Sequence, residues 1–239
     1  MEQYERLIAV VDAFIGTFGG ALRLQGIQTL LLIEKATLYG TGIKPSELHR
    51  LTGAPLENIR RRLLMFNGQG LIAFQADPTD DRSTLCTMTE AGRRTWPAAD
   101  VARRLYVLRP ANQQHPAAPH PMAAETYDAL IAILRACAEA FGGGMRIRGF
   151  KTALLIQQAT VGGEGITASA ISRRTDAPLE TVRRHMIIQM KLGNLRFVED
   201  PRDDRAARIY TADPERERQT YATLDKRLDA LNWQLFNIS

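Results

Sequence analysis

The apolar positions near the start of the chain, Tyr4, Leu7, Ile8, Val11, Phe14, Ile15 and Phe18, fall three and four apart and predict an amphipathic helix. Gly19-Gly20 interrupts it. "IQTLLLIEKATLYG" is apolar on most sides and predicts a buried helix stopped by Gly40 and Gly42. "KPSELHRLTG" predicts a short helix with Pro45 in its first turn and Gly53 after its end. "PLENIRRRLLMFNGQG" predicts another helix with Pro55 in its first turn. Ile59, Leu63 and Phe66 form its inward stripe, and Asn58, Arg60 and Arg61 lie outward. "LIAFQ" and "STLCTM" predict strands flanking a polar turn at 77–82. A last helix is expected from about Thr95, with Val101, Leu105 and Leu108 inward.

The pattern then recurs. Slid against itself by 123 residues, the sequence matches without a gap over 26–62 and 149–185, with 19 of 37 positions identical. "APLENIRR" (54–61) lies over "APLETVRR" (177–184), and "DPTDDR" (77–82) over "DPRDDR" (200–205). Between the repeats, "RPANQQHPAAPHPM" (109–122) predicts an extended linker. The expected organisation is one copy over 1–112, a Pro/Ala linker at 113–123 and a second copy over 124–239. In the second copy Tyr221, Leu224, Leu228, Leu231 and Leu235 form a narrow seam suited to helix packing.

Composition changes this picture little. Of the 239 residues 45% are apolar and 24% charged, which is ordinary for a globular chain. The net charge of +5 divides as +3 over 1–123 and +2 over 124–239, so neither half is a basic tail. A basic excess of this size permits an acidic partner. "MEQYERLIAV" lacks the features of a secretory signal, no apolar run approaches a membrane span, and no CxxC is present. A cytoplasmic chain without a membrane role is expected.

The order helix, helix, short helix, turn, helix, hairpin, helix is that of a winged helix-turn-helix. The stretch "GIKPSELHRLTGAPLENIRRRLLMFNGQGLIAFQADPTDDRSTLCTMTEAGRR" resembles the MarR family of transcriptional regulators. The points of likeness are the Ser-Glu-Leu helix start, the recognition helix running into Gly-Leu-Ile, the D-x-x-D-x-R wing and the Thr-Glu-Ala-Gly step. The likeness covers 43–94 best and repeats over 166–208. The second copy departs at Thr-Ala-Asp-Pro (211–214), and both copies carry Ala-Pro where a Ser or Thr usually opens the recognition helix.

The resemblance implies a mainly α fold with small β-hairpin wings (α+β), arranged as two tandem winged helix-turn-helix domains. It further implies a covalent pseudo-dimer, the first and last helices of both copies forming a shared core. A monomeric pseudo-dimer is therefore expected, with further self-association left open. The implied partner is double-stranded DNA carrying an imperfect palindrome, and the family also implies a small-molecule effector. No cofactor and no catalytic role are expected, because no triad or paired-carboxylate spacing is visible. The alternative is a tandem winged-helix scaffold that binds protein instead of DNA.

The candidate DNA-contacting residues are Ser46, Leu56, Asn58, Arg60, Arg61 and Arg82, with Ser169, Leu179, Thr181, Arg183, Arg184, Arg202 and Arg205 in the second copy. Arginines on a helix in the major groove can bond guanine O6 and N7, Asn58 and Thr181 can reach base edges, and Leu56 and Leu179 can touch thymine methyls. Glu57 and Glu180 suit the positive end of the helix dipole. Arg82 and Arg205 match the family's minor-groove arginine, and Asp80 and Asp203 are expected to orient their guanidinium groups. Arg202 and Arg208 replace Thr79 and Leu85, so unequal grip by the two wings is expected. Cys86 and Cys137 are expected in the core, His185 on the surface, and the linker histidines His115 and His120 lack further metal ligands nearby.

Overall fold

The computed structural model describes residues 2–96, 98–107, 123–191, 193–199 and 208–215, with 222, 224 and 226 of the final segment. It is mostly helical, with small antiparallel sheets. The first half runs α1 (Glu2–Phe18), α2 (Leu24–Tyr39), α3 (Pro45–Thr52), α4 (Leu56–Gly68), β1 (Ile72–Asp77), β2 (Asp80–Met88), α5 (Glu90–Thr95) and α6 (Ala98–Val107). The second runs α7 (Ala124–Phe141), α8 (Ile147–Val161), β3 (Ile166–Thr167), α9 (Ala168–Thr175), α10 (Leu179–Lys191), β4 (Leu195–Glu199) and β5 (Arg208–Ala212).

The apolar stripe of α1 is buried at Tyr4, Leu7, Ile8, Val11 and Phe14, and α2 is buried continuously from Ile27 to Glu34. Three local expectations change. Pro55 stands just before α4, with ψ 138°, instead of inside its first turn. The helix expected from about Thr95 is α6, beginning at Ala98 with Val101 and Leu105 buried, and a short helix not expected precedes it: α5 ends at Thr95, and Trp96 leaves the helical region to stack on Phe18 with ring centroids 4.5 Å apart. The polar turn is also shorter than its composition suggests. Asp77 pairs with Asp80, leaving only Pro78 and Thr79 at the tip.

The two halves share one core. A single cluster of buried apolar residues extends from Tyr4 through Phe66, Tyr127 and Phe150 to Leu224. Each half's first helix packs on the other half's second helix, α1 on α8 and α2 on α7, while α6 lies along α1. Crossing of first helices onto second helices is not expected from sequence, and it stands beside the packing of the first half's last helix, α6, on α1; most of the second half's final segment lies outside the described residues.

These contacts come in pairs related by the 123-residue offset. Leu24 N–H donates to the Met145 carbonyl at 3.0 Å, and Ile147 N–H donates to the Leu22 carbonyl at 2.8 Å. Arg23 and Arg146 form an isolated antiparallel bridge between these bonds. Lys35 meets Asp128 at 2.5 Å, while Gln158 Nε2 donates to Glu5 Oε1 at 3.4 Å. The glycine pairs after α1 and α7 permit the approach. A Cβ on Gly20 would lie 2.5 Å from Arg148 Nε, and one on Gly143 would lie 2.0 Å from Gln25 Cδ. Small residues at these points let each turn carry a side chain from the opposite half.

The expected linker, with His115 and His120, lies outside the described residues except for Ala123. So do Leu108 and the seam positions Tyr221, Leu228, Leu231 and Leu235; Leu224 is described and buried.

Candidate nucleic-acid interface

In each half a short helix, a tight turn and a longer helix present one polar face. The turn is held from inside. Gly53 ends α3 in the left-handed region (φ 66°), and Asp176 does the same after α9 (φ 51°). Ala54 and Ala177 are buried, so the next helix cannot swing freely. Their carbonyls are then gripped by side chains at matching positions: His49 Nδ1 at 2.6 Å from Ala54 O, and Ser172 Oγ donating to Ala177 O at 2.7 Å. Two chemically different residues perform the same clamp.

Ile59, Leu63 and Phe66 anchor α4, and Val182 and Met186 anchor α10. Helical spacing turns Asn58, Arg60 and Arg61 outward, and Thr181, Arg183 and Arg184 likewise; all six are exposed. Ser46 and Ser169 are exposed in the first turns of α3 and α9. Leu56 and Leu179 are half-buried. Glu57 and Glu180 lie in the first turns, and Glu180 Oε2 is 4.0 Å from Arg183 Nη1. An exposed pair at this separation leaves the guanidinium readily available.

The hairpin of the first half is built on Asp77. Its carboxylate is buried and accepts from Thr79 N–H, Thr79 Oγ1 and Ser83 Oγ, with Lys44 Nζ 2.7 Å away. Lys44 and these donors hold the Asp77 carboxyl well below the usual carboxylate range. Arg82 is exposed. Asp80 does not orient its guanidinium. Asp80 Oδ1 accepts the Arg82 backbone N–H at 3.1 Å, and Oδ2 lies 3.7 Å from Lys44 Nζ. The carboxylate therefore shapes the turn and leaves the arginine head free of a carboxylate partner among the described residues. Arg202, Asp203 and Arg205 lie outside the described residues.

Lys44 and Arg62 were not among the candidate residues, and both position the site. Arg62 turns inward, donating through Nη1 to Gln25 O at 3.0 Å and Thr29 Oγ1 at 2.9 Å. Its place at the edge of the apolar stripe was the available signal. His185, at the matching position, is half-buried instead of exposed, and burial holds its imidazole below the usual range. Cys86 and Cys137 are buried free thiols, and burial pushes the Cys86 thiol up to about 12. Among the described residues no three His, Cys, Asp or Glu side chains gather into a metal site, and no helix is long and apolar enough to cross a membrane.

No family model and no curated protein matches the chain. A solved structure similar to it is that of CouR from Rhodococcus jostii RHA1, bound to p-coumaroyl-CoA. The two share 23% identity over 54% of this chain and 84% of that one, with a TM-score of 0.34.

Proposed function

We propose that this protein is a sequence-specific DNA-binding transcription regulator of MarR-like type, with two winged helix-turn-helix units in one chain. The observation that carries this reading is the matched pair of outward rows on α4 and α10, each aimed by a clamped turn and ending the first two helical turns in two exposed arginines. Helices of this kind enter the major groove with their N-terminal residues toward the bases. Asn58, Arg60 and Arg61 would read one half-site, and Thr181, Arg183 and Arg184 the other. Arg82 and Arg205 would reach the flanking minor grooves, with Arg202 added on the second wing. Ser46 and Ser169 suit phosphate contacts at the ends of their helices. Because Asn58 and Thr181 differ, the two half-sites need not be identical.

Selection from a random duplex library tests this reading. The expected product is a two-part site, with Arg61→Ala relaxing one part and Arg184→Ala the other. Recovery of unenriched sequence would overturn it.

One observation favours a protein-binding scaffold. The third turn of α4 exposes Leu64 and Met65, and α10 exposes Ile187 and Ile188 at the same positions; Phe74 and Phe197 are likewise exposed on β1 and β4. Exposed apolar residues repeated at matching positions suit a protein contact. Under that reading Leu64→Ser with Ile187→Ser would abolish partner binding while DNA affinity is absent from the start.

A further inference from the structure

Leu51 and Arg174 stand 123 residues apart, each in the last turn of the short helix of its half. Carbonyls in a last turn have no donor within their own helix, and the negative end of the helix dipole favours a cation there. A cation fills this place in both halves, but it arrives from different directions. In the first half Arg135 crosses over from α7 and donates through Nη2 to Leu51 O at 2.5 Å. In the second half Lys151, on α8 of the same half, donates through Nζ to Arg174 O.

The residues at the matching positions account for the change of direction. Asp12 stands in the first half where Arg135 stands in the second, and Gln28 where Lys151 stands. Asp12 lies on α1, and its carboxylate is 2.5 Å from Lys151 Nζ, across the boundary between the halves. The Lys151 side chain is only 11% exposed, so its ammonium has exchanged water for this carboxylate and the Arg174 carbonyl. Gln28 is fully buried on α2, and neither polar atom of its amide has a partner among the described residues. Each contact between the halves therefore holds one cation. In the first it is delivered by the opposite half; in the second it is held by a carboxylate from the opposite half.

Pairing of like with like would spoil both contacts. A second half set against another second half would bring Arg135 onto Lys151, two cations at one carbonyl with no carboxylate between them. A first half set against another first half would aim Asp12 at Gln28 and the Leu51 carbonyl, with no cation at all. The neighbouring contacts make no such choice, because Lys35 could pair with Glu5 as it does with Asp128.

We propose that Asp12, Gln28, Arg135 and Lys151 form a pairing code by which each half selects the other and disfavours a second copy of itself. The inference goes beyond DNA binding and stands or falls independently of it.

Each mismatched contact can be installed in the full chain by one substitution. Asp12→Arg sets an arginine against Lys151, as two second halves would. Arg135→Asp sets a carboxylate against Gln28 and Leu51 O, as two first halves would. Each is expected to lower the folding equilibrium constant, read by urea denaturation, by about tenfold or more. Adding Lys151→Gln to the first variant, or Gln28→Lys to the second, rewrites that contact as a copy of the other one. Each double variant should recover the wild-type constant to within about threefold. A single variant too unstable to fold, beside a double variant with native circular dichroism, is the same rescue. Single variants as stable as wild type would overturn the proposal, as would a double variant in either cycle no more stable than its single.

Discussion

Leu24 and Met145 lie in different halves of the chain, yet the Leu24 N–H spends its hydrogen bond on the Met145 carbonyl, at 3.0 Å. The bond from Ile147 N–H to the Leu22 carbonyl reciprocates it, and both satisfy groups at helix starts that have no partner within their own helix. Neither half completes its own helix entry.

Separating the halves should therefore expose what they cover. Residues 1–112 alone would lose Tyr127 and Asp128 from the face of α2, and with them the edge contact to Tyr39 and the ion pair to Lys35. The uncovered apolar surface is expected to drive self-association. Sedimentation of the isolated fragment should show a dimer or larger species, with a melting temperature below that of the full chain. A monomer as stable as the full chain would contradict the shared core.

Glu34 makes the interface sensitive to pH. It is buried on α2, bonded to Tyr127 of α7, and burial pushes its carboxyl up to about 7, against the bond from Tyr127 and the charge of Arg93. Below the ordinary carboxylate value of 4.5, folded and unfolded chains both hold the proton. Between 4.5 and about 7 only the unfolded chain ionises, so stability falls as pH rises, by up to about 3 kcal/mol from this group. Gln157 stands at the matching position of the second half. Glu34→Gln should match wild type near pH 4.5 and exceed it in urea denaturation at pH 8. A difference independent of pH would contradict this assignment.

The turn clamps give a prediction specific to each half. Ser172→Ala removes the bond to Ala177 O, and His49→Ala the bond to Ala54 O. Each loss should cost about 1 kcal/mol in chemical denaturation. On the proposed function, footprinting should then show weaker protection at one half-site only. Equal loss at both would mean that the clamps act on overall stability alone.

The helices of this fold were legible because their apolar residues recur at helical spacing over long stretches. Ile59, Leu63 and Phe66 on α4 are an example. What polar residues do was less legible. Asp77 reads as a turn residue, yet it is buried and extends the strand, because Lys44, Thr79 and Ser83 reach it from both sides. Arg62 reads as one more exposed arginine in a run of three; its acceptors lie 33 and 37 residues away in sequence, where no local pattern points to them. The Thr-Glu-Ala-Gly step was legible as a motif before its cause. Thr89 Oγ1 accepts the Gly92 N–H, and a Cβ at Gly92 would lie 2.0 Å from the Leu71 carbonyl.

The stoichiometry of the complex with selected DNA tests the central claim most directly. Sedimentation of the full chain with a duplex carrying the selected site should give one chain per duplex, with two protected half-sites about 34 Å apart. Affinity should fall steeply with salt as phosphate contacts release counterions. Two chains per duplex, each protecting one half-site, would contradict the account, as would binding that salt leaves unchanged.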